Sequence, residues 1–152
     1  ESYDYIYSSD LARAVDTTKE IIKFHRKTGI IFTKELRERD NGEYRGKKKS
    51  AFGWDPKKSM ILCINPKKGE LKKQLFNRAN NFLQMLLRKH PKDSILIIGH
   101  NGINRAIIAA ITNKPWQEIH QIPKLKNTSI TTFEITKNKQ PELLLHNCIK
   151  HL

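Results

Sequence analysis

"SILIIGHNGINRAII", residues 94–108, sets four large apolar side chains in a row, Ile95 to Ile98, and follows them with a glycine, a histidine and an Asn101-Gly102 pair. Unbroken apolarity without alternation predicts a short strand covered on both faces, central in its sheet. Helical spacing returns from Ile103 to Ile111, so a strand–turn–helix unit is expected. Its turn falls at Asn101-Gly102, since both residues tolerate left-handed backbone values. His100 then stands at the exit of a strand, where ligands of open α/β sheets bind.

The flanking segments supply the same alternation. Upstream, Tyr3 to Tyr7 reads as a strand, with Ser8, Ser9 and Asp10 as successive helix N-cap candidates. Leu11, Ala14, Val15, Thr18, Ile21, Ile22 and His25 share one helical face that ends before Gly29, and Arg13 falls off it. A cation in the first turn opposes the helix dipole by roughly 0.3–1 kcal/mol. Together with the helix amides, however, its guanidinium makes a cradle for phosphate. Ile30 to Leu36 is the next extended segment, with Glu38 at its exit and "ERDNGEYRGKKK" as loop. A helix from about Leu71 places Leu75, Ala79, Phe82, Leu83, Leu86 and Leu87 on one face until Pro91 ends it. Ile130 to Ile135 and Leu143 to Leu145 form an antiparallel hairpin around "KNKQP". The sum is an α/β domain with a mixed sheet, in which Arg13, Glu38 and His100 all fall at or just past strand exits.

Bulk properties bound the function. The 152 residues suit one domain, and the net charge of +14, from 29 Lys+Arg against 15 Asp+Glu, attracts anions. Ten of the basic residues crowd between Arg45 and Lys73 with only Asp55 and Glu70 opposing them. Phe52 and Trp54 are the only aromatics there, too few for a base-stacking platform, which argues against nucleic acid as the partner. Cys63 and Cys148 form no CxxC pair and no Cys/His cluster has metal-ligand spacing, so no metal and no cofactor are expected. The absence of an apolar stretch long enough to span a bilayer, and of a leader pattern, argues against a membrane and for a reducing, cytoplasmic setting.

"YSSDLARA", "LRERDNGEYRG", "ILIIGHNGINR" and "NTSITTFEI", in this order, resemble the histidine phosphatase superfamily, the phosphoglycerate-mutase-like proteins. The resemblance runs from about Tyr5 to Leu152. It implies a three-layer α/β sandwich, a mixed and mostly parallel central sheet with helices on both faces. It further implies a phosphomonoester hydrolase working through a phosphohistidine intermediate. By the same resemblance Arg13 binds phosphate, Glu38 donates the proton, and His100, with Asn101 beside it, is a phosphate and transition-state ligand. The family generally has glycine where Asn101 stands. Its members also begin with a strand ending in Arg-His-Gly, whose histidine is the nucleophile, and no such triplet occurs here. None of His25, His90, His120, His146 and His151 follows a strand in a suitable turn. Residues 1–152 are therefore expected to be a single domain lacking its first strand and active only once that segment is supplied, by a separate polypeptide or by residues outside this stretch. The substrate would be a phosphorylated small molecule. A phosphate-binding module without turnover is the alternative, and a mutase ranks after it.

Overall fold

Tyr5–Ser9 forms β1, the middle strand of a three-stranded parallel sheet in the computed structural model, which describes residues 2–47, 66–136 and 140–152. On one side it pairs with β2 (Gly29–Thr33), Tyr7 opposite Ile31, and on the other with β3 (Ile95–Ile98), Tyr7 opposite Ile97. The two faces of β1 are sorted by the period-two alternation of its side chains. Ser8 turns to helix α1 (Ala12–Ile22), where its hydroxyl accepts from Thr18 Oγ1 at 2.8 Å. Tyr7 turns the other way, its ring edge-on to Phe82 of helix α2 (Lys72–Lys89) with centroids 5.7 Å apart. Helices therefore cover both faces of the sheet.

The main core lies on the Tyr7 side. Leu75, Ala79, Phe82, Leu83 and Leu86 of α2 interlock there with Ile103, Ala106, Ile107 and Ala109 of helix α3 (Asn101–Ile111). Each large aliphatic or aromatic side chain buried this way contributes about 1.5–3 kcal/mol. Leu87, assigned to the same face by spacing, is instead 36% exposed. A 3-10 turn over Trp116–Gln121 closes the core with Ile119, and an antiparallel pair, β4 (Ile130–Glu134) and β5 (Glu142–Cys148), forms a second sheet. The turn joining that pair lies partly outside the described residues, as does most of the lysine-rich stretch, Phe52, Trp54 and Cys63 included.

Of the two neighbours expected for a central strand, β3 has one among the described residues, β1, and its four apolar residues are half-buried. Two expectations need correction. The Asn101-Gly102 pair is not a left-handed turn. His100, extended at φ −129° and ψ 168°, is the N-cap, and Asn101 is already the first residue of α3. Ser8 and Ser9 do not cap α1 either, because the ladder takes them into β1; Leu11 is the N-cap, and its N–H donates to Ser9 Oγ at 3.3 Å.

Candidate active site

Because β1, β2 and β3 run parallel, their carboxyl ends share one rim of the sheet, and the segments leaving them bring the three expected polar residues together. Ser9 ends β1, and Arg13 follows in the first turn of α1. Glu38 comes after the 3-10 turn Lys34–Leu36 that continues β2, pinned inward by the fully buried Leu36. His100 leaves β3 and opens α3.

Arg13 and His100 are in direct contact. Arg13 Nε donates to His100 Nδ1 at 3.2 Å, and His100 Nε2 lies 2.9 Å from Ser9 Oγ. An arginine Nε–H only donates, so Nδ1 must accept, and the ring proton sits on Nε2, donated to Ser9. This neutral tautomer agrees with the electrostatics. Burial pushes the His100 pKa below its usual value of 6.5 and the Arg13 charge pushes it further, while Glu38 opposes both.

Glu38 is clamped by backbone. Its Oε1 accepts from Arg39 N at 2.8 Å and its Oε2 from Gly102 N at 3.0 Å, which places the carboxyl at the N-terminus of α3, where the helix dipole favours an anion. The approach depends on residue 102 having no side chain, since a Cβ there would collide with Glu38 Oε1. Asn101 takes a different part: its amide Nδ2 donates to Leu125 O at 2.8 Å and ties α3 to the segment leading into β4. Its side chain thus gives one of its two donors to the scaffold. A further tie joins the loops on either side of the rim, where Arg37 reaches Asp10 through two 2.6 Å bonds, Nε to Oδ1 and Nη2 to Oδ2. That hydrogen bonding holds the Asp10 carboxyl below the usual carboxylate range.

The rim therefore carries a guanidinium fork, an imidazole beside it and a carboxyl fastened to a helix N-terminus. Such a set can bind a tetrahedral oxyanion and exchange a proton next to it. Among the described residues no three His, Cys, Asp or Glu side chains gather as metal ligands, and no helix is long and apolar enough to cross a membrane. Residues 1–149 match the histidine phosphatase superfamily, branch 1. The chain belongs to that superfamily. It is 24% identical over 159 residues to Phosphoglycerate mutase-like protein 4 of Arabidopsis thaliana, covering 100% of this chain and 67% of that protein. It is 30% identical over 142 residues to the Metal-independent phosphoserine phosphatase of the same plant, covering 88% of this chain and 57% of the relative. The phosphoserine phosphatase of Entamoeba histolytica, solved with 3-phosphoglyceric acid, superposes with a TM-score of 0.80 at 22% identity, over 99% of this chain and 76% of that one. At that identity the likeness speaks for the fold.

The sequence puts Arg13, Glu38 and His100 at or just past strand exits; the structure brings them to one rim together with Ser9, Asp10 and Arg37, which the sequence does not mark. The strand expected from sequence ends at Tyr7, so the Ser9 hydroxyl carries only the signature of a helix cap; the ladder with β2 extends β1 to it. The Asp10–Arg37 pair spans 27 residues and has no local signature.

Proposed function

We propose that residues 1–152 form one domain of a metal-independent phosphomonoester hydrolase acting on phosphorylated small molecules through a phosphohistidine intermediate. The observation that carries this reading is the contact of Arg13 with His100 at the N-terminus of α3, beside a Glu38 carboxyl bound to the same helical turn. Arg13 and His100 hold the phosphoryl oxygens and stabilise the charge that grows on them. A histidine nitrogen attacks phosphorus as the ester P–O bond breaks, and Glu38, a carboxylate in the empty site that takes up a proton when the phosphate dianion enters beside it, gives that proton to the departing alkoxide. Water then attacks the phosphohistidine, Glu38 takes back a proton, and the N–P bond breaks to free inorganic phosphate.

The nucleophile comes, in this proposal, from a strand outside residues 1–152, on the same polypeptide or on another. Two features support a strand beside β3. Its four consecutive apolar residues are only half-buried, and its outer edge has no ladder partner among the described residues. The names of the relatives, a phosphoserine phosphatase among them, support small phosphomonoesters as the substrate class. The complete protein, incubated with a radiolabelled phosphomonoester and quenched in alkali, should carry label that survives base and is released by acid, as phosphohistidine is. Turnover without such a labelled species would overturn the covalent route; binding of phosphate without turnover would favour a pure binding module.

A further inference from the structure

We propose that Arg78, acting through Glu70, is the positioning residue for Glu38, fixing the backbone on both sides of it so that its carboxyl is presented to the phosphate rim. The inference rests on the reading of Glu38 as proton donor. Arg78 lies on α2, outside the rim, with its side chain 19% exposed and that of Glu70 16%. Its fork is fully oriented: Nε donates to Glu70 Oε1 and Nη2 to Glu70 Oε2, both at 2.8 Å. That pairing turns the remaining nitrogen, Nη1, onto two main-chain carbonyls, Glu35 O at 2.5 Å and Arg37 O at 3.0 Å. The Arg37 carbonyl belongs to the peptide that enters Glu38. On the other side of Glu38, the buried Arg39 donates from Nε to Glu70 O at 2.8 Å, and Glu70 N donates to Asp40 O at 2.8 Å. One acidic residue therefore anchors both the fork that holds the segment before Glu38 and the bonds that hold the segment after it. Within this frame the carboxyl reaches Gly102 N. A lysine has the charge but only three donors on a single nitrogen, too few for the two carboxylate oxygens and two carbonyls that Arg78 serves from three nitrogens.

The test separates positioning from mere support by the leaving group. An alkyl phosphate needs a proton on its departing oxygen, whereas p-nitrophenyl phosphate releases a stable phenolate without one. In the complete protein, Arg78→Ala should lower kcat for phosphoserine about 10- to 100-fold, part of what a general acid contributes, and kcat for p-nitrophenyl phosphate less than about threefold. Arg78→Lys should fall between wild type and Arg78→Ala, and it carries the test if the alanine variant does not fold. Equal losses on both substrates would overturn the proposal. Glu38→Gln is the control: a selective loss there without one at Arg78 would leave the reading of Glu38 standing and remove Arg78 from it. A second readout needs no turnover. Hydrogen exchange at the Gly102 amide, held by Glu38 Oε2, should quicken in Arg78→Lys relative to Ile107 in the same helix. Unchanged exchange at Gly102 would overturn the proposal whatever the protein's activity proves to be.

Discussion

Two histidines stand at opposite ends of β3, and they differ in what surrounds them. His90 precedes the strand, closing α2, with 6% of its surface exposed; its Nε2 meets Tyr7 Oη at 2.8 Å, its Nδ1 meets Asp93 Oδ2 at 2.8 Å, and the rings of Tyr5 and Tyr7 wall it in. His100 follows the strand, half-buried, and also has both nitrogens engaged, by Arg13 and Ser9. Counting hydrogen bonds would rate the two alike. The distinction lies in the partners. Tyr7 is fixed by core packing and Asp93, though exposed, is itself an anion that repels another, whereas Arg13 is an exposed cation whose fork an incoming anion can share. A histidine becomes a ligand where its partner can be exchanged, and the carboxyl ends of parallel strands are where that exchange meets helix N-termini.

Substituting each histidine should break the molecule differently. In the complete protein, His100→Ala should cost phosphatase activity at least about 100- to 1,000-fold, as loss of a transition-state donor does, with thermal stability little changed. His90→Ala should leave kcat of the folded protein near wild type but destabilise it by about 2–4 kcal/mol, through a cavity and an unpaired buried tyrosine hydroxyl. Steady-state kinetics beside denaturant melts separate the two outcomes. Activity retained by His100→Ala would take His100 out of the site.

Removing one hydroxyl from each histidine sharpens the contrast on a smaller scale. Tyr7→Phe should cost about 1 kcal/mol of stability and leave kcat unchanged. Ser9→Ala removes the acceptor that keeps the His100 proton on Nε2, so it should lower kcat/KM about three- to tenfold while Tm moves little. Equal behaviour of the two variants would mean that both histidines are structural.

These contrasts also mark how far the sequence could be read. The run Ile95 to Ile98 is legible as a strand because four bulky apolar residues closed by Gly99 are too few for a buried helix, and the ordered motifs around Arg13, Glu38 and His100 carried the family. The neighbours of β3 were not legible, since ladder partners are chosen by the whole chain. Asn101-Gly102 has the composition of a turn, but capture of Gly102 N by Glu38, 64 residues away, goes with a helix that begins directly after His100. Arg78 looks like any cation beside an apolar helix face. Its carbonyl partners lie 41 and 43 residues upstream and carry no side-chain signature at all.

The smallest effect is also the most diagnostic of the comparison, because it reads His100 directly. Burial and then the Arg13 charge lower its pKa from the usual 6.5, and Glu38 raises it. Followed by NMR titration, Arg13→Gln should therefore move the His100 pKa up and Glu38→Gln should move it down. Sulfate, which does not titrate in this range, should also move it up. With Nε2–H kept by Ser9, the ring can donate to an anion from Nδ1 only as imidazolium, so an anion that takes this bond as well as those of Arg13 brings proton uptake with it. The stability contribution has the sign of a depressed base: below pH 6.5 the unfolded chain holds more protons at this residue than the folded one. The contribution is complete above 6.5 and is lost as pH falls toward and through the lower folded value. A His100 resonance indifferent to sulfate would mean that the Arg13 contact is as closed to an anion as the Tyr7 contact of His90.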